Sequence, residues 1–375
     1  MAAKTPRSWA RVGTTVAYSA GTYDGALPTA MFDFDSTLRP YRGTGPPEGT
    51  TLAFLARLSD SFNIVIVSNR SSASAAALAP LREYVAMLDT GSSPGRATVY
   101  APHARDRYRK PHTGTWEHFV AGPCGGTRPA FAFFCGDAAG RPGDHSAADY
   151  MYALNTGLLF VTAEALFGGS GGGTPWADPV SLGCTAGPPA GVEGASAADA
   201  AAAYAAEQAL AALPEPCLVV MVGSPASGKS RVAARLVAER GLALVSGDAQ
   251  GARHKQVFAV AFADRRSIVV DNTCPLAADR ARFAGEAAAR GYTVAICHVT
   301  TPKPLCFHLN AARCQLDAAG RTAELPPVVL HTYWKRLEPP TEKEAEAYGA
   351  RLVRVPFALA AGAPPEVTRF RYPLA

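Results

Sequence analysis

Short apolar runs, bounded by turn-forming residues and separated by helical patterns, recur along the whole chain. In the first half they cover residues 29–33, 64–68 and 131–135, with a helical pattern near 50–60. In the second half they cover residues 217–222, 242–246, 267–271 and 292–298. Strands of parallel sheets are buried on both faces and therefore lack polar alternation. The pattern predicts an α/β fold with two parallel sheets, one in each half of the chain.

A stretch rich in glycine and proline separates the two halves. It covers residues 167–196 and reads FGGSGGGTPWADPVSLGCTAGPPAGVEGAS. Such a composition is typical of a flexible linker or a long loop. The alanine-rich segment after it predicts a helix that ends before Pro214 and Pro216. We therefore expect a first domain over residues 1–166, a linker over 167–196 and a second domain over 197–375.

Composition limits the class of protein without identifying it. The chain has 375 residues, 48% of them hydrophobic and 18% charged, which is enough apolar mass for two cores. A net charge of +5 is compatible with a polyanionic substrate but does not identify one. Eight cysteines without a CxxC pair indicate reduced thiols rather than a disulfide framework or a zinc site. The chain has no signal-peptide core and no apolar run of about 18 residues, so we expect an intracellular protein that does not cross a membrane.

A phosphate-binding loop is predicted in the second half. The run CLVVMV is followed directly by GSPASGKS, residues 223–230, which fits G-x-x-x-x-G-K-[ST]. Gly223 and Gly228 permit a tight loop, and the backbone N–H groups around Ser224 would face a phosphate. Lys229 would reach the β- and γ-phosphates of a nucleotide, and Ser230 would ligate Mg²⁺. The helical pattern after the loop is the context that such a site requires.

Further candidates for phosphoryl transfer follow the next apolar runs. Asp248 could accept the proton of a substrate hydroxyl that attacks the γ-phosphate. It could equally cap the following helix. Asp271 fits either a role behind Mg²⁺ or a structural carboxylate at a strand end. Arg313 or Arg321 could supply a mobile arginine over the phosphates, as nucleotide kinases require.

Two aspartates follow the first apolar run. In MFDFDSTLRP, Asp33 and Asp35 are one residue apart and Thr37 comes next. A strand that ends before a polar turn would explain them, but D-x-D-x-T after a strand also resembles the opening motif of the haloacid dehalogenase (HAD) phosphatases. In that chemistry Asp33 attacks phosphorus, and Asp35 protonates the leaving oxygen and later activates water. Mg²⁺ held by both aspartates reduces the repulsion between carboxylate and phosphate.

The other parts of such a site follow in order along the chain. Ser68 ends the run in IVIVSNR and can donate a hydrogen bond to a phosphoryl oxygen. Lys110, in YRKPHTGTWEHF, offers a fixed positive charge. Asp137 follows the run FAFFC and suits Mg²⁺, while Asp144 and Asp149 lie close behind it and leave open which of them contributes.

Segments in both halves resemble the polynucleotide kinase 3′-phosphatases, in the order of that family. They are YRKPHTGTWEHF, GDAAGRPG, SAADYMYALNTGLLFVTAEALF, GSPASGKS and VVDNTCPLAADRARFAGEAAARG. Together with SWARVGTTVAYSAG, the similarity covers most of residues 8–359 apart from the linker. The resemblance implies a HAD-like 3′-phosphatase followed by a P-loop 5′-polynucleotide kinase, which use Mg²⁺ and ATP in the repair of DNA strand breaks.

The resemblance also implies residue roles and partners. Carried onto the matching positions, Asp33 is the nucleophile, Asp35 the general acid and base, and Asp137 a Mg²⁺ ligand. In the kinase half, Lys229 contacts ATP and Asp248 is the base for the 5′-hydroxyl. The implied substrates are DNA ends, with RNA ends as an alternative, and we expect a nuclear monomer. Because no forkhead-associated domain precedes residue 8, we expect no recruitment to repair scaffolds by that route.

The chain departs from the family's pattern at several positions. Ser36 replaces a glycine, and Arg70 replaces the glutamine of the usual Thr-Asn-Gln. Ala311 replaces an arginine, which leaves Arg313 as the candidate, and residues 246–247 replace Asn-Arg. Three rival hypotheses remain. One is a 3′-phosphatase with a weakened kinase or an RNA preference, and another is a nucleic-acid-binding module whose sites are catalytically inactive. The third, a small-molecule phosphatase fused to a metabolite kinase, is disfavoured by the family-specific segments.

Overall fold

The described residues form two compact units. The computed structural model describes residues 8–19, 23–89, 97–168, 197–319, 322–359 and 362–372. Within these ranges, the first unit contains residues 8–168, 311–324 and 369–372, and the second contains 197–310 and 325–368. The predicted linker lies outside the described residues except for Phe167, which ends a helix, and Gly168. The predicted domain bounds stay a prediction.

A seven-stranded sheet forms the centre of the first unit. Its strands are β1 Ser8–Val12, β2 Thr15–Ser19, β3 Thr29–Phe32, β4 Asn63–Val67, β5 Ala97–Ala101, β6 Ala132–Gly136 and β7 Leu159–Thr162. They lie in the order β1-β2-β5-β4-β3-β6-β7. The neighbouring strands β5, β4, β3, β6 and β7 run parallel to one another. The strands β1 and β2 add an antiparallel pair at the edge next to β5.

Helices cover both faces of this sheet. They are α1 Glu48–Leu58, α2 Ala75–Asp89, α3 Gly114–Ala121, α4 Ala148–Thr156 and α5 Ala163–Phe167. Along β3, Ala30 and Phe32 belong to one apolar core, which includes residues of α1 and α2, and Met31 belongs to the other, which includes residues of α3 and α4. Because both faces are buried, β3 is apolar from Ala30 to Phe32, and the predicted parallel sheet is confirmed.

The second half contains a five-stranded sheet in which every strand is parallel to its neighbours. Its strands are β8 Cys217–Val222, β9 Ala243–Val245, β10 Ile268–Val270, β11 Thr293–Val299 and β12 Arg351–Val355. They lie in the order β12-β11-β8-β10-β9, with β8 at the centre. Val219 and Met221 of β8 belong to one core and Leu218 and Val220 to the other. The predicted second parallel sheet is also confirmed.

The helices of the second half connect these strands. They are α6 Ala197–Ala211, α7 Lys229–Arg240, α8 Gly247–Gln250, α9 His254–Ala263, α10 Ala277–Ala289, α11 Lys303–Leu316, α12 Pro327–Arg336, α13 Glu342–Glu346 and α14 Pro365–Thr368. Within the described residues, no helix is both long enough and apolar enough to span a lipid bilayer. The seven cysteines within the described residues of the whole chain are free thiols.

Candidate active sites

The carboxyl ends of the parallel strands in the first unit place the predicted phosphatase residues along one cleft. Asp33, Ser68 and Asp137 directly follow β3, β4 and β6, and Lys110 lies between β5 and α3. All four line a cleft of about 800 Å³. Neighbouring parallel strands end at the same edge of a sheet, so residues distant in sequence meet there. The structure therefore brings together the four elements that the sequence places in order.

Lys110 holds two of the carboxylates. Its Nζ lies 2.5 Å from Asp33 Oδ1 and 2.7 Å from Asp149 Oδ1, and the lysine is only 4% exposed. The Asn69 side chain holds the backbone of Lys110 in place. Its amide donates a hydrogen bond to the Lys110 carbonyl and accepts one from the Lys110 N–H, each at 3.0 Å. Burial favours the neutral amine, but the charges of Asp149 and Asp33 outweigh it and raise the pKa of Lys110. The lysine is a fixed positive charge.

Three carboxylates form a group that can hold a metal ion. Oxygen atoms of Asp33, Asp137 and Asp149 lie within 4.8 Å of one another. Burial, together with the charges of Asp33 and Asp149, raises the pKa of Asp137 to about 8. Burial also raises the pKa of Asp149 to about 6, although Lys110 acts against it. This crowding of negative charge, compensated within the group by one lysine, fits a divalent cation with oxygen ligands.

The structure distinguishes Asp149 from Asp144. Asp149 is 2% exposed and joins the metal group, while its other oxygen accepts the Ala138 N–H at 3.0 Å. Asp144 instead accepts hydrogen bonds from the backbone and side chain of Arg141, each at 3.0 Å. Gly136 permits the approach of Asp149, because a Cβ on Gly136 would lie 2.4 Å from Asp149 Oδ2.

Asp35 does not join the three carboxylates. Its Oδ2 contacts the guanidinium of Arg70, and its side chain is 27% exposed at the cleft. Of the aspartates predicted to hold Mg²⁺, the structure places Asp33 and Asp137, but not Asp35, in the metal group. The role of Asp35 in proton transfer stays a prediction.

Ser36 occupies the left-handed backbone region that glycine adopts most easily. Its φ is 62°, which costs a residue with a side chain about 1 kcal/mol. The hydroxyl compensates in part, because Ser36 Oγ and Thr44 Oγ1 are hydrogen-bonded at 2.8 Å. The backbones of Ser36 and Gly45 are in close contact, since a Cβ on Gly45 would lie 2.7 Å from the Ser36 carbonyl oxygen. The serine is therefore compatible with the loop that a glycine would form.

In the second unit, the predicted phosphate-binding loop connects β8 to α7. Gly228 adopts a φ of 94° directly before α7, which begins at Lys229. Gly223 packs against Ser227, because a Cβ at Gly223 would lie 2.7 Å from Ser227 Oγ. Lys229 is 7% exposed, and Ser230 lies exposed in the first turn. The buried Ser227 Oγ has no hydrogen-bond partner among the described residues, which fits a loop that binds an additional polar group.

The segment after β10 connects the other candidate residues of this unit. Thr273 accepts the Gly223 N–H at 3.3 Å, and the Asn272 side chain accepts the Gly247 N–H at 3.1 Å. The neighbouring Asp271 has a buried oxygen, Oδ1, that lacks a hydrogen-bond partner in the part of the chain that the structure describes, as a residue behind Mg²⁺ would. One segment therefore joins the phosphate-binding loop to the start of α8.

The predictions for Asp248 and for the two candidate arginines have different outcomes. The possibility that Asp248 caps the following helix is wrong, because the side chain of Ser246 caps α8 and accepts the Ala249 N–H. Asp248 lies exposed on α8, so it remains accessible to a substrate hydroxyl. Arg313 lies in the last turn of α11, within the segment that groups with the first unit, and its role over ATP stays a prediction. Arg321 lies outside the described residues.

Comparisons with known proteins find a matching family model in each half of the chain. Residues 48–167 match the family model of the polynucleotide kinase 3 phosphatases, and residues 243–336 match that of the zeta toxins. A bifunctional polynucleotide phosphatase/kinase of Schizosaccharomyces pombe is 28% identical over 250 residues, 66% of this chain. The polynucleotide 3′-phosphatase ZDP of Arabidopsis thaliana is 44% identical over 66 residues, which cover 16% of this chain and 9% of that protein.

The resemblance to the polynucleotide kinase 3′-phosphatases is confirmed. The chain spans 57% of the length of the Schizosaccharomyces pombe relative. Asp33 and the phosphate-binding loop lie outside the ranges that match the two family models. The geometry of these two motifs is therefore evidence that is independent of the family matches.

The sequence did not predict several residues that hold the predicted site residues, or the segments beside them, through hydrogen bonds and ion pairs. Asn69, which fixes Lys110, and Arg70, which contacts Asp35, follow Ser68 directly. Arg280 is fully buried, donates to two carbonyls in the segment after β10 and pairs with Glu344 at 2.7 Å. A polar residue beside a predicted phosphate ligand is a usable signal for the first two. The position of Arg280 within an amphipathic helix gives no such signal.

Proposed function

We propose that this protein is a bifunctional enzyme that removes 3′-phosphates from polynucleotides and phosphorylates 5′-hydroxyl ends with ATP. The observation that carries the proposal is the buried Asp33 carboxylate, which Lys110 holds at a sheet edge beside Asp137 and Asp149. A nucleophile, a fixed cation and a metal group in one cleft are the parts that an aspartyl-phosphate mechanism needs. The names of the relatives support a polynucleotide as the substrate.

The phosphatase reaction proceeds in two displacements. In the first, an Asp33 oxygen bonds to phosphorus, and the bond from phosphorus to the 3′-oxygen breaks with its electron pair on that oxygen. Asp35 gives this oxygen a proton. In the second, water attacks the phosphorus of the aspartyl-phosphate, Asp35 takes a proton from the water, and Asp33 is restored as phosphate leaves. Ser68 donates to the phosphoryl oxygens, and Lys110 balances their charge.

Asp33, Asp137 and Asp149 would hold the metal ion of the phosphatase. Carboxylate oxygens suit Mg²⁺, and the raised pKa of Asp137 indicates that a further positive charge would stabilise the group. Mg²⁺ bound there supplies charge neutralisation between the carboxylates and the phosphoryl group. In the second unit, Ser230 with Asp271 behind it would hold Mg²⁺ together with ATP.

The kinase reaction requires positioning more than covalent chemistry. The 5′-hydroxyl oxygen bonds to the γ-phosphorus, the bond between that phosphorus and the bridging oxygen of ADP breaks, and Asp248 accepts the hydroxyl proton. Gly223, Gly228 and Lys229 bind the phosphates of ATP. The proposed setting is the repair of DNA strand breaks in the nucleus, and RNA ends are the competing substrate in the same assay.

The phosphatase half is tested by trapping the covalent species. Protein mixed with an oligonucleotide that carries a ³²P-labelled 3′-phosphate and quenched in acid should retain label that hydroxylamine releases, as an acyl phosphate does. Asp33→Asn should retain no label, while Asp144→Asn, outside the metal group, should still be labelled. Phosphate release by the wild-type protein without trapped label, or release that persists in Asp33→Asn, contradicts the proposed nucleophile.

A further inference from the structure

Arg70 is held rigidly in the wall of the phosphatase cleft. Its N–H donates to the Pro102 carbonyl at 2.7 Å, and its carbonyl accepts from the guanidinium of Arg109 at 2.8 Å. Its own guanidinium donates to the Ala77 carbonyl of α2 at 3.4 Å, and the residue is 8% exposed. The backbone and the charged group are therefore both fixed before any substrate binds.

The fixed guanidinium contacts one oxygen of Asp35. Nη2 of Arg70 pairs with Asp35 Oδ2, and the guanidinium carbon lies 5.7 Å from the centre of the Phe34 ring. The three carboxylates of the metal group do not include Asp35. A carboxylate two residues from Asp33 would be attracted to a divalent cation at that group unless another positive charge held it. Arg70 supplies that charge.

We infer that Arg70 is a positioning residue for proton transfer in the phosphatase: it holds the Asp35 carboxyl group away from the metal ligands and leaves Oδ1 to carry the proton. The inference rests on the proposed phosphatase function. In the first displacement the proton moves from Asp35 to the 3′-oxygen as that oxygen leaves phosphorus, and in the second it returns to Asp35 from water.

The dependence of the rate on the leaving group tests the inference. An alkoxide leaves only with a proton, whereas p-nitrophenolate leaves without one. Arg70→Leu should therefore lower kcat for a 3′-phosphorylated oligonucleotide by about 100-fold. The same variant should lower kcat for p-nitrophenyl phosphate by less than about tenfold. Arg70→Gln, which keeps an N–H donor without the charge, should lie between Arg70→Leu and the wild type.

Arg39 provides the matched control. Its guanidinium also lies 5.7 Å from the centre of the Phe34 ring and lines the same cleft, but within the described residues it forms no ion pair with Asp35. Arg39→Leu should preserve the wild-type ratio of the two kcat values. Equal losses of kcat on both substrates in Arg70→Leu and Arg70→Gln, or a raised KM with unchanged kcat, would overturn the inference. If the wild-type protein hydrolyses neither substrate, the proposed function fails instead.

Discussion

The absence of a side chain at Gly136 decides whether the three carboxylates of the proposed phosphatase site can lie together. Asp149 reaches Asp33 and Asp137 only because Gly136, at the end of β6, has no side chain. Lys110 then compensates two of the buried charges, and Asn69 fixes Lys110. These contacts place the group under tight steric control, since even one added methyl would displace a carboxylate.

Gly136→Ala should therefore impair the phosphatase selectively. The new Cβ would lie 2.4 Å from Asp149 Oδ2, so Asp149 must shift. We expect phosphatase kcat/KM to fall by about tenfold or more, with a higher Mg²⁺ concentration needed for half-maximal activity. The kinase activity of the same preparation should remain. Gly49→Ala is the control, because this exposed glycine in the first turn of α1 has open space around it and alanine favours the helix. Unchanged Mg²⁺ dependence in Gly136→Ala would contradict the assigned metal group.

Among the elements, seven of the twelve strands in the described residues were predicted from their apolar runs. Residues 217–222 were predicted as a strand and form β8 with the same bounds, and β3, β4 and β6 lie within one residue of the prediction. The strands β1, β2, β5, β7 and β12 were missed. Polar residues interrupt the apolar run in β1 (SWARV), β2 (TVAYS), β5 (ATVYA) and β12 (RLVRV). The sequence also placed Asp33, Ser68, Lys110 and Asp137 at one site. It could not distinguish Asp149 from Asp144 or pair Arg70 with Asp35, since both depend on contacts between distant segments.

The strand β11 carries a histidine that links stability to pH. Burial, with the nearby charges of Arg354 and Arg280, lowers the pKa of His298 to about 4. The unfolded chain binds this proton near pH 6.5, so acidification from pH 7 to pH 5 favours unfolding, and the loss is complete below about pH 4. For a partly exposed group we expect about 1 kcal/mol between these two pH values.

Urea unfolding of His298→Gln at pH 7 and pH 5 tests this linkage. The variant should lose less stability on acidification than the wild-type protein, because its side chain does not titrate. His331→Gln, at an exposed position on α12, should behave as the wild type does. An equal loss of stability in His298→Gln and in the wild type would show that another group is responsible.

At the scale of the whole molecule, the described residues form two mainly parallel sheets, each with candidate site residues at the carboxyl ends of its strands. The first sheet presents Asp33 and the metal group, and the second presents the phosphate-binding loop that begins α7. The residues assigned to 3′-phosphate removal come from the first unit. Those assigned to 5′-phosphorylation come from the second unit, apart from Arg313. Because the two sets of residues lie on different sheets, we expect that each activity can be abolished without the other.

A paired assay of both activities on one nicked duplex tests whether the two sites act independently. The duplex carries a 3′-phosphate and a 5′-hydroxyl at the nick, and both products are measured from the same reaction with ATP and Mg²⁺. Asp33→Asn should abolish 3′-phosphate release and leave 5′-phosphorylation intact, while Lys229→Ala should do the reverse. Loss of both activities in either folded variant, or 3′-phosphate release that persists in Asp33→Asn, would contradict the account.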